Sequence, residues 1–277
     1  MFNAMTRAEI WLQDTLDKPI GLEDLANHLG YSASQVRRQF RQRFQLSPSA
    51  YREKRRLERA AVLLAFTPLN IAQIAQPCGY HNHSSFSRAF QRHYQVTPRD
   101  YRRTPTTTTH QRPATDAEFE TCIRKSDNRQ MLLMRLYESH EHINGPWDPY
   151  CHKRHLACLQ ARLRLATTTI ALPDLLADKA GALNGETHLF NRTDIGLYLT
   201  PNNNAQDIAI PVPYRRVDLP THYYVKTCFK ELANLSNALA YTITFLLYRQ
   251  DEYYVSGHAP QVLWKDNHLE LRIPLLR

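Results

Sequence analysis

Residues 30–52 read GYSASQVRRQFRQRFQLSPSAYR, and residues 79–102 read GYHNHSSFSRAFQRHYQVTPRDYR. The two stretches align from the Gly-Tyr pair at their start, through a central phenylalanine, to the Tyr-Arg pair at their end. In each copy a short apolar segment precedes Gly-Tyr and a polar segment follows it. A glycine suits this tight turn, because a residue without a Cβ adopts a left-handed backbone at little cost. The pattern predicts a helix-turn-helix that occurs twice.

The flanking sequence extends this prediction to a domain over residues 1–103. The two units are predicted at about residues 21–44 and 70–93, each with a supporting helix before Gly-Tyr and an outer helix after it. Ser47 followed by Pro48 predicts the start of a long joining helix, since serine caps a helix and proline suits its first turn. Pro77 departs from the repeat. Inside a regular helix it removes a donor and costs on the order of 3 kcal/mol, so we expect the second supporting helix to kink or end early.

Positive charge is concentrated in the same part of the chain. Residues 1–104 hold 16 Lys and Arg against 8 Asp and Glu, whereas residues 105–277 hold 19 against 18. A basic module attached to a near-neutral one is typical of a protein whose first part binds phosphate groups, since Lys and Arg supply sequence-independent affinity for nucleic acid. The alternative interpretation is an ordinary solvated basic surface.

Composition sets further limits on the class of protein. Hydrophobic residues make up 43% of the 277, which is enough for a core in each of two domains. No apolar run approaches the length of a membrane span, and five scattered cysteines predict a cytoplasmic protein. We find no Ser/His/Asp order, Gly-rich phosphate loop or metallohydrolase signature, so we predict no enzyme activity and no cofactor.

The pattern changes after the first domain. Residues 104–117 hold two prolines and a run of threonines and are predicted to be a linker. Residues 118–277 alternate apolar strands, such as 131–136 and 222–229, with helical stretches, such as 232–247. This predicts an α+β domain.

Residues 5–103 resemble the DNA-binding domain of the AraC/XylS family of bacterial transcription regulators. The resemblance rests on three motifs: Ala26-x-x-x-Gly30-Tyr31, Arg56-Leu57-x-x-Ala60-x-x-Leu63-Leu64, and Gly79-Tyr80-x-x-x-Ser84-Ser85-Phe86-Ser87-Arg88-Ala89-Phe90-x-x-x-Tyr94-x-x-x-Pro98-x-x-Tyr101-Arg102. It implies an all-α domain whose two recognition helices are held about one duplex turn, or about 34 Å, apart by the joining helix. One chain would then span two adjacent major grooves of promoter DNA, and binding as a monomer is expected.

Ten side chains are expected to contact DNA, by family position and by their place on the predicted helices. The expected base contacts are Ser34, Arg37 and Arg38 in the first unit, and His83, Ser84, Ser87 and Arg88 in the second. The expected phosphate contacts are Arg41 and Arg92, and Gln35 completes the set. Four basic residues of the joining helix are equally consistent with DNA contact and with a solvated surface: Arg52, Lys54, Arg55 and Arg59.

Residues 128–276 are similar to GyrI-like effector-binding domains. The similarity rests on Ile195-Gly196-Leu197-Tyr198, on Leu219-Pro220-Thr221-His222-Tyr223-Tyr224-Val225, and on Asp251-Glu252-Tyr253, Pro260 and Leu269–Leu275. An AraC-type domain followed by a GyrI-like domain resembles the Rob subgroup of activators. The similarity implies two strand-helix-strand-strand halves around a cleft that binds small molecules, often lipophilic cations.

Six aromatic residues are candidates for lining that cleft, through stacking and cation–π attraction: Trp147, Tyr150, Tyr198, Tyr223, Tyr253 and Trp264. Aromatic residues in this number also build cores. Leu263 stands where many relatives carry glutamate, and Glu138, Asp251 or Glu252 are the alternatives for the acid. A neutral or anionic ligand, or a docking surface without a ligand, is also consistent with the sequence.

The segment Cys151-His152-x-x-His155-x-x-Cys158 is a second candidate for chemistry. Residues 151, 155 and 158 have metal-ligand spacing on one helix face, but one face alone cannot close a tetrahedral site, so we predict no metal there. The Cys151-His152 pair also resembles the acceptor motif of DNA-alkylation repair regulators, with the proline displaced and Lys153 in place of arginine. A methyl-accepting enzyme at Cys151 is therefore the less favoured alternative.

Together these observations predict a sequence-specific, DNA-binding transcriptional regulator. By resemblance it is an activator that acts through RNA polymerase, with a C-terminal domain that senses a small-molecule effector or controls activity. The alternative is a repressor or an architectural DNA-binding protein whose C-terminal domain is blind to ligands. That alternative predicts a salt-sensitive complex of low sequence preference.

Overall fold

The secondary structure divides between helices in the first part of the chain and strands in the second. A computed structural model describes residues 4–103, 119–137, 163–170, 193–199, 210, 214–248, 252–265 and 267–277. They belong to two units. The helical first part and the sheet-containing second part agree with the predicted α+β layout. No helix in the described residues has the length and apolarity that crossing a bilayer requires.

Seven helices make up the described residues of the first unit: α1 (Ala4–Asp14), α2 (Leu22–Leu29), α3 (Ala33–Phe44), α4 (Pro48–Phe66), α5 (Ile71–Ala75), α6 (His83–Tyr94) and α7 (Pro98–Arg103). Helices α2 and α3 form the first helix-turn-helix, α5 and α6 form the second, and α4 is the joining helix.

The two outer helices, α3 and α6, begin and end in the same way. Ser32 caps α3 by accepting a hydrogen bond from the backbone NH of Gln35, and Asn82 caps α6 by accepting one from the backbone NH of Ser85. Each helix ends at a glutamine in the left-handed conformation, Gln45 with φ 59° and Gln95 with φ 61°. The sequence repeat is therefore a repeat of local hydrogen bonding.

Pro77 ends the second supporting helix early, as expected from its ring and missing NH. Helix α5 has five residues, whereas its counterpart α2 has eight. The chain nevertheless turns through Gly79 with φ +77°, as it turns through Gly30 with φ +72°. The second unit thus keeps its turn and its outer helix although its supporting helix is shortened.

Each unit has three aromatic residues at its centre: Phe40, Phe44 and Tyr51 in the first, and Phe90, Tyr94 and Tyr101 in the second. Within each set the ring centroids lie 4.6 to 5.9 Å apart, in tilted and edge-on contacts. All six side chains are at most 3% exposed. The cores of the two units therefore repeat as their sequences do.

The arginine of each Tyr-Arg pair has a matching structural role. Arg52 donates to three backbone carbonyls between residues 15 and 20, just before α2. Arg102 donates to the carbonyl of Leu64, in the last turn of α4, and to that of Leu69, just before α5. Each arginine ties the segment that enters a helix-turn-helix to the helix that follows it.

The second unit contains nine strands and one longer helix in its described residues: β1 (Glu120–Ser126), β2 (Arg129–Leu136), β3 (Leu163–Ile170), β4 (Thr193–Leu199), β5 (Arg215–Leu219), β6 (His222–Phe229), a short 3-10 helix (Leu232–Asn234), α8 (Leu235–Tyr248), β7 (Tyr254–Val255), β8 (Gln261–Trp264) and β9 (Leu269–Leu276). The strands form one antiparallel sheet in the order β1-β6-β9-β8-β3-β4-β2-β5, and β7 pairs with β9.

Strand register divides the residues of this sheet between two faces, since neighbouring side chains along a strand point to opposite sides. On one face Thr227 is hydrogen-bonded to Thr242 of α8, with 2.7 Å between the hydroxyl oxygens, so this face packs against the helix. The opposite face, which we call the ionic face, carries five polar residues at its centre: Asp194, Tyr198, Gln261, Glu270 and Arg272.

Candidate nucleic-acid interface

Helix α3 presents the predicted contacts of the first unit to solvent. The five side chains are all exposed, and the apolar residues on the opposite side of the helix are buried. The set consists of Ser34, Gln35, Arg37, Arg38 and Arg41. Within the described part of the chain, the three arginines have no hydrogen-bond or ion-pair partner. Their guanidinium groups are available for the paired acceptors of guanine or for phosphate oxygens.

Gln35 has a local role besides any contact with DNA. Its Oε1 accepts a hydrogen bond from the backbone NH of Ser32 (3.1 Å), which completes a capping box at the start of α3. A DNA contact from Gln35 would therefore use its amide nitrogen.

Helix α6 presents a similar but less basic surface. His83, Ser84, Arg88 and Arg92 are exposed and Ser87 is half-buried. Arg92 Nη2 lies 2.9 Å from Oε1 of Glu53 on α4. Both side chains are largely exposed, so this pair contributes about 0 to 1 kcal/mol and a phosphate can compete for the arginine.

The arginines of α4 make contacts with other groups of the domain. Arg52 is 8% exposed, and burial lowers the pKa of its guanidinium to about 10, with the charge of Arg56 acting in the same direction. Arg55 Nη1 lies 2.6 Å from Glu58 Oε2, and Arg59 Nη1 donates to the carbonyl of Pro77 (3.1 Å). For these three arginines the structure favours a structural role over contact with DNA.

Arg56, which the sequence analysis placed only in a family motif, contacts both helix-turn-helix units. Its Nε donates to the carbonyl of Leu16 (2.6 Å) and its Nη2 to that of Lys18 (3.2 Å), both in the segment that leads into α2. Its guanidinium carbon lies 5.9 Å from the ring centroid of Tyr80, next to the turn of the second unit. Burial lowers the pKa of Arg56. Together with Arg59, it holds the second turn against α4.

The structure does not bring the predicted ligand-binding aromatic residues together. Tyr198 lies on the ionic face, is 5% exposed, and donates to Gln261 Oε1 (2.5 Å). Tyr223 lies on the opposite face of the sheet, and its ring centroid is 5.0 Å from that of Tyr253. A single cleft on one face of the sheet therefore cannot be lined by both Tyr198 and Tyr223.

Several other candidates of the second domain lie outside the described residues. They are Trp147, Tyr150, Glu138, Asp251, the side chain of Trp264 and the Cys151–Cys158 segment. Glu252 is exposed and forms a long ion pair with Arg277 (3.8 Å). Leu263 is fully buried beside Met131, Leu133 and Tyr198.

Glu270 is a buried carboxylate of the ionic face that the sequence analysis did not single out. It lies directly opposite Leu263 on the neighbouring strand and is 6% exposed. Arg272 donates to its Oε2 from Nη2 (2.7 Å) and Nε (3.2 Å). The spacing of Glu270 and Arg272 in the sequence could have indicated this ion pair, because residues two apart in a strand share a face.

Asp194 is the second carboxylate of the ionic face that sequence reasoning missed. It is bound by Arg135 (2.7 Å) and Arg215 (2.8 Å). Burial alone would raise the pKa of this carboxyl, but the charges and hydrogen bonds of the two arginines outweigh it and hold the pKa well below its usual range. Arginine is paired with both Asp194 and Glu270, so neither carboxylate is a free counter-charge for an organic cation, which cannot form a bond to a carboxylate oxygen.

Comparison with known proteins places the likeness in the first part of the chain. The helix-turn-helix domain family matches residues 25–104. Regulatory protein SoxS of Salmonella typhimurium is 37% identical over 92 residues, which span 33% of this chain and 86% of SoxS. A crystal structure of a transcriptional regulator with an AraC-type DNA-binding domain, from Chromobacterium violaceum, is 33% identical and covers 36% of this chain and 89% of that one, with a TM-score of 0.35.

Transcriptional regulator Rob of Salmonella typhimurium is 36% identical over 94 residues, which span 34% of this chain and 32% of Rob. In other curated relatives the matched segment spans 25% to 44% of their length. The family match at residues 25–104 lies within the first unit. Because the chain covers most of SoxS at this identity, and the family match over residues 25–104 spans the second helix-turn-helix and most of the first, the chain belongs to the AraC-type family of helix-turn-helix transcriptional regulators.

Proposed function

We propose that this protein is a sequence-specific, DNA-binding transcriptional regulator. The observation that carries the proposal is the pair of outer helices, α3 and α6. Both expose polar faces, begin at a side-chain cap, end at a left-handed glutamine and pack on a matching aromatic core. The arginine of each Tyr-Arg pair binds the segment that leads into its unit. In helix-turn-helix proteins the second helix of the unit lies in the major groove and its N-terminal residues contact base edges. Two equivalent helix-turn-helix units on one chain support two such contacts without a dimer.

The two helices are proposed to contribute unequally. Ser34, Arg37 and Arg38 lie in the first half of α3 and are proposed to read bases, while Arg41, one turn further along, is proposed to contact phosphate. On α6, Arg88 has no ion-pair partner among the residues that the structure describes, whereas Arg92 is already paired with Glu53. We therefore expect α3 to supply more of the phosphate-dependent affinity than α6.

For residues 118–277 we propose a regulatory role as a GyrI-like effector-binding domain. The sequence similarity supports this, and activation through RNA polymerase is proposed on the same ground. The arginine-neutralised carboxylates of the ionic face favour a neutral or anionic effector over a lipophilic cation. The alternative of a ligand-blind repressor or architectural protein differs in sequence preference and in response to ligands.

The test is selection of binding sites from a random duplex pool with the full-length protein, followed by affinity measurements at two salt concentrations on the selected site and on scrambled DNA. We expect a motif of about 20 bp with two blocks one turn apart. A single block would show that α6 does not read bases. The absence of any motif would refute the proposal in favour of nonspecific binding.

Two arginine variants sharpen this test. Arg38→Ala is expected to weaken specific binding by about 1 to 3 kcal/mol and to relax one base position. Arg124→Ala removes the same charge from an exposed position on β1 and is the matched control, expected to leave the ratio of specific to nonspecific affinity unchanged. Equal effects of the two substitutions would remove Arg38 from the base contacts.

A further inference from the structure

Three side chains with metal-binding atoms meet where β6 and β9 pair on the ionic face. Cys228 lies directly opposite Glu270 across the two strands. His268 precedes Glu270 by two residues and so shares its side of the chain. The thiol sulfur, an imidazole nitrogen and a carboxylate oxygen of these residues all lie within 4.8 Å of one another. Strand pairing, and not proximity in sequence, brings Cys228 to the other two.

The separations suit a tetrahedral ion of the zinc class. Bond lengths of about 2.0 to 2.3 Å to nitrogen, oxygen and sulfur place neighbouring ligand atoms about 3.3 to 3.7 Å apart. His268 Nε2 and Glu270 Oε1 are already 3.6 Å apart. Cys228 Sγ would need to move by about 1 Å at most, which a small rotation of its side chain provides.

The neighbours of these residues orient the ligands and balance charge. Arg272 donates twice to Oε2 of Glu270 and leaves Oε1 facing His268 and Lys226. The ammonium of Lys226 is 3.8 Å from Oε1 and its side chain is 21% exposed, so it can turn to solvent when an ion takes its place. The thiolate and Oε1 of Glu270 would bond the ion directly, while Arg272 would stay on Oε2 as an outer partner. Partners that fix a metal ligand from outside are a regular part of such sites.

We propose that Cys228, His268 and Glu270 bind one divalent ion of the zinc class, with water as the fourth ligand. This site is separate from the Cys151–Cys158 segment and goes beyond the proposed DNA-binding function. A bound ion ties β6 to the start of β9 and makes the stability of the sheet depend on metal. Thiolate, imidazole and carboxylate together favour Zn²⁺ or Co²⁺ over Mg²⁺ or Ca²⁺, which prefer oxygen ligands.

The test uses the full-length chain without a polyhistidine tag, in a parent carrying Cys151→Ser and Cys158→Ser so that this segment cannot supply thiolates. After treatment with a chelator, Co²⁺ is titrated and the thiolate-to-cobalt charge-transfer absorption is followed. We expect saturation at one equivalent and displacement by Zn²⁺, with a rise in the melting temperature of the sheet. Cys228→Ser is expected to abolish the band, while Cys122→Ser, at the half-buried cysteine of β1, retains it.

If Cys228→Ser does not fold, His268→Ala provides a second test. The His268 side chain is 39% exposed, so its removal is expected to leave the sheet folded. It is expected to weaken Co²⁺ binding by more than about tenfold, since even an outer partner of a metal ligand is typically worth that much. No charge-transfer band in the folded parent, a band that persists in Cys228→Ser, or unchanged affinity in His268→Ala would each overturn the proposal. DNA affinity, measured on the same samples, reports separately on the helix-turn-helix units.

Discussion

Replacing Gly79 by alanine should destabilise the first unit far more than the same change at Gly30. Both glycines have a left-handed backbone, with φ +77° and +72°, and an alanine there costs about 1 to 2 kcal/mol. A Cβ on Gly30 meets no atom within 4 Å, whereas a Cβ on Gly79 lies 2.5 Å from both Arg56 Nη2 and the carbonyl oxygen of Leu16. Overpacking of this kind adds about 1 to 3 kcal/mol. We therefore expect about 1 to 2 kcal/mol for Gly30→Ala and about 2 to 5 kcal/mol for Gly79→Ala.

Equilibrium urea unfolding measures this difference if the signal comes from the helical unit alone. Trp11 packs on His28 with 5.3 Å between ring centroids, so its fluorescence reports on that unit once Trp147 and Trp264 are replaced by phenylalanine. The midpoint should shift with an unchanged slope in both variants. Equal losses of unfolding free energy in the two variants would refute the reasoning. They would show that Arg56 and Leu16 move away from the new Cβ at position 79 without a loss of stability.

Three further outcomes are expected. Phe90→Ala removes a fully buried ring and should lower the free energy of unfolding of the helical unit by about 3 to 5 kcal/mol, with a similar loss for Phe40→Ala; a loss below 1 kcal/mol at Phe90 would mean that the second unit is loosely packed. Asp194 has a lowered pKa in the folded state, so its contribution is complete above its unfolded pKa of about 3.9 and is lost as the pH falls through the lower folded value. The difference in unfolding free energy between wild type and Asp194→Asn should therefore shrink on acidification, and a difference that does not depend on pH would contradict this. Glu53→Gln should change stability by less than about 1 kcal/mol and raise DNA affinity at low salt by freeing Arg92, whereas unchanged affinity would place Arg92 away from phosphate.

Much of the first unit was predictable because its signals are local. Ser32, Asn82 and the Gly-Tyr turns mark helix ends through hydrogen bonds within three or four residues, and α3 ends at Phe44, where the first unit was predicted to end. The early end of α5 before Pro77 follows from the ring of one residue. The exposure of the predicted recognition residues follows from the same periodicity, while their contact with DNA stays a prediction.

The second unit was less predictable because β-pairing joins residues far apart in the chain. Alternation indicates that residues two apart share a face, but not which strand lies alongside. The opposite placement of Tyr198 and Tyr223, and the carboxylate of Glu270 beside Leu263, depend on the register of β4, β6, β8 and β9. A resemblance between motifs says nothing about which side chains of this chain become ion-paired.

The sequence by itself determined the doubled helix-turn-helix, its basic character and the residues that its outer helices expose, because helix periodicity and capping depend on neighbours within one turn. Only the tertiary structure decided the roles of the arginines of the joining helix. Arg52 and Arg56 carry the same charge as Arg37 and Arg38, yet they bind backbone carbonyls some 30 to 40 residues away, whereas the other two face solvent. It also decided which carboxylates are neutralised and which ligand atoms meet at Cys228. Long-range packing settles such matters, since the energy of a buried charge depends on the partners that the fold brings to it.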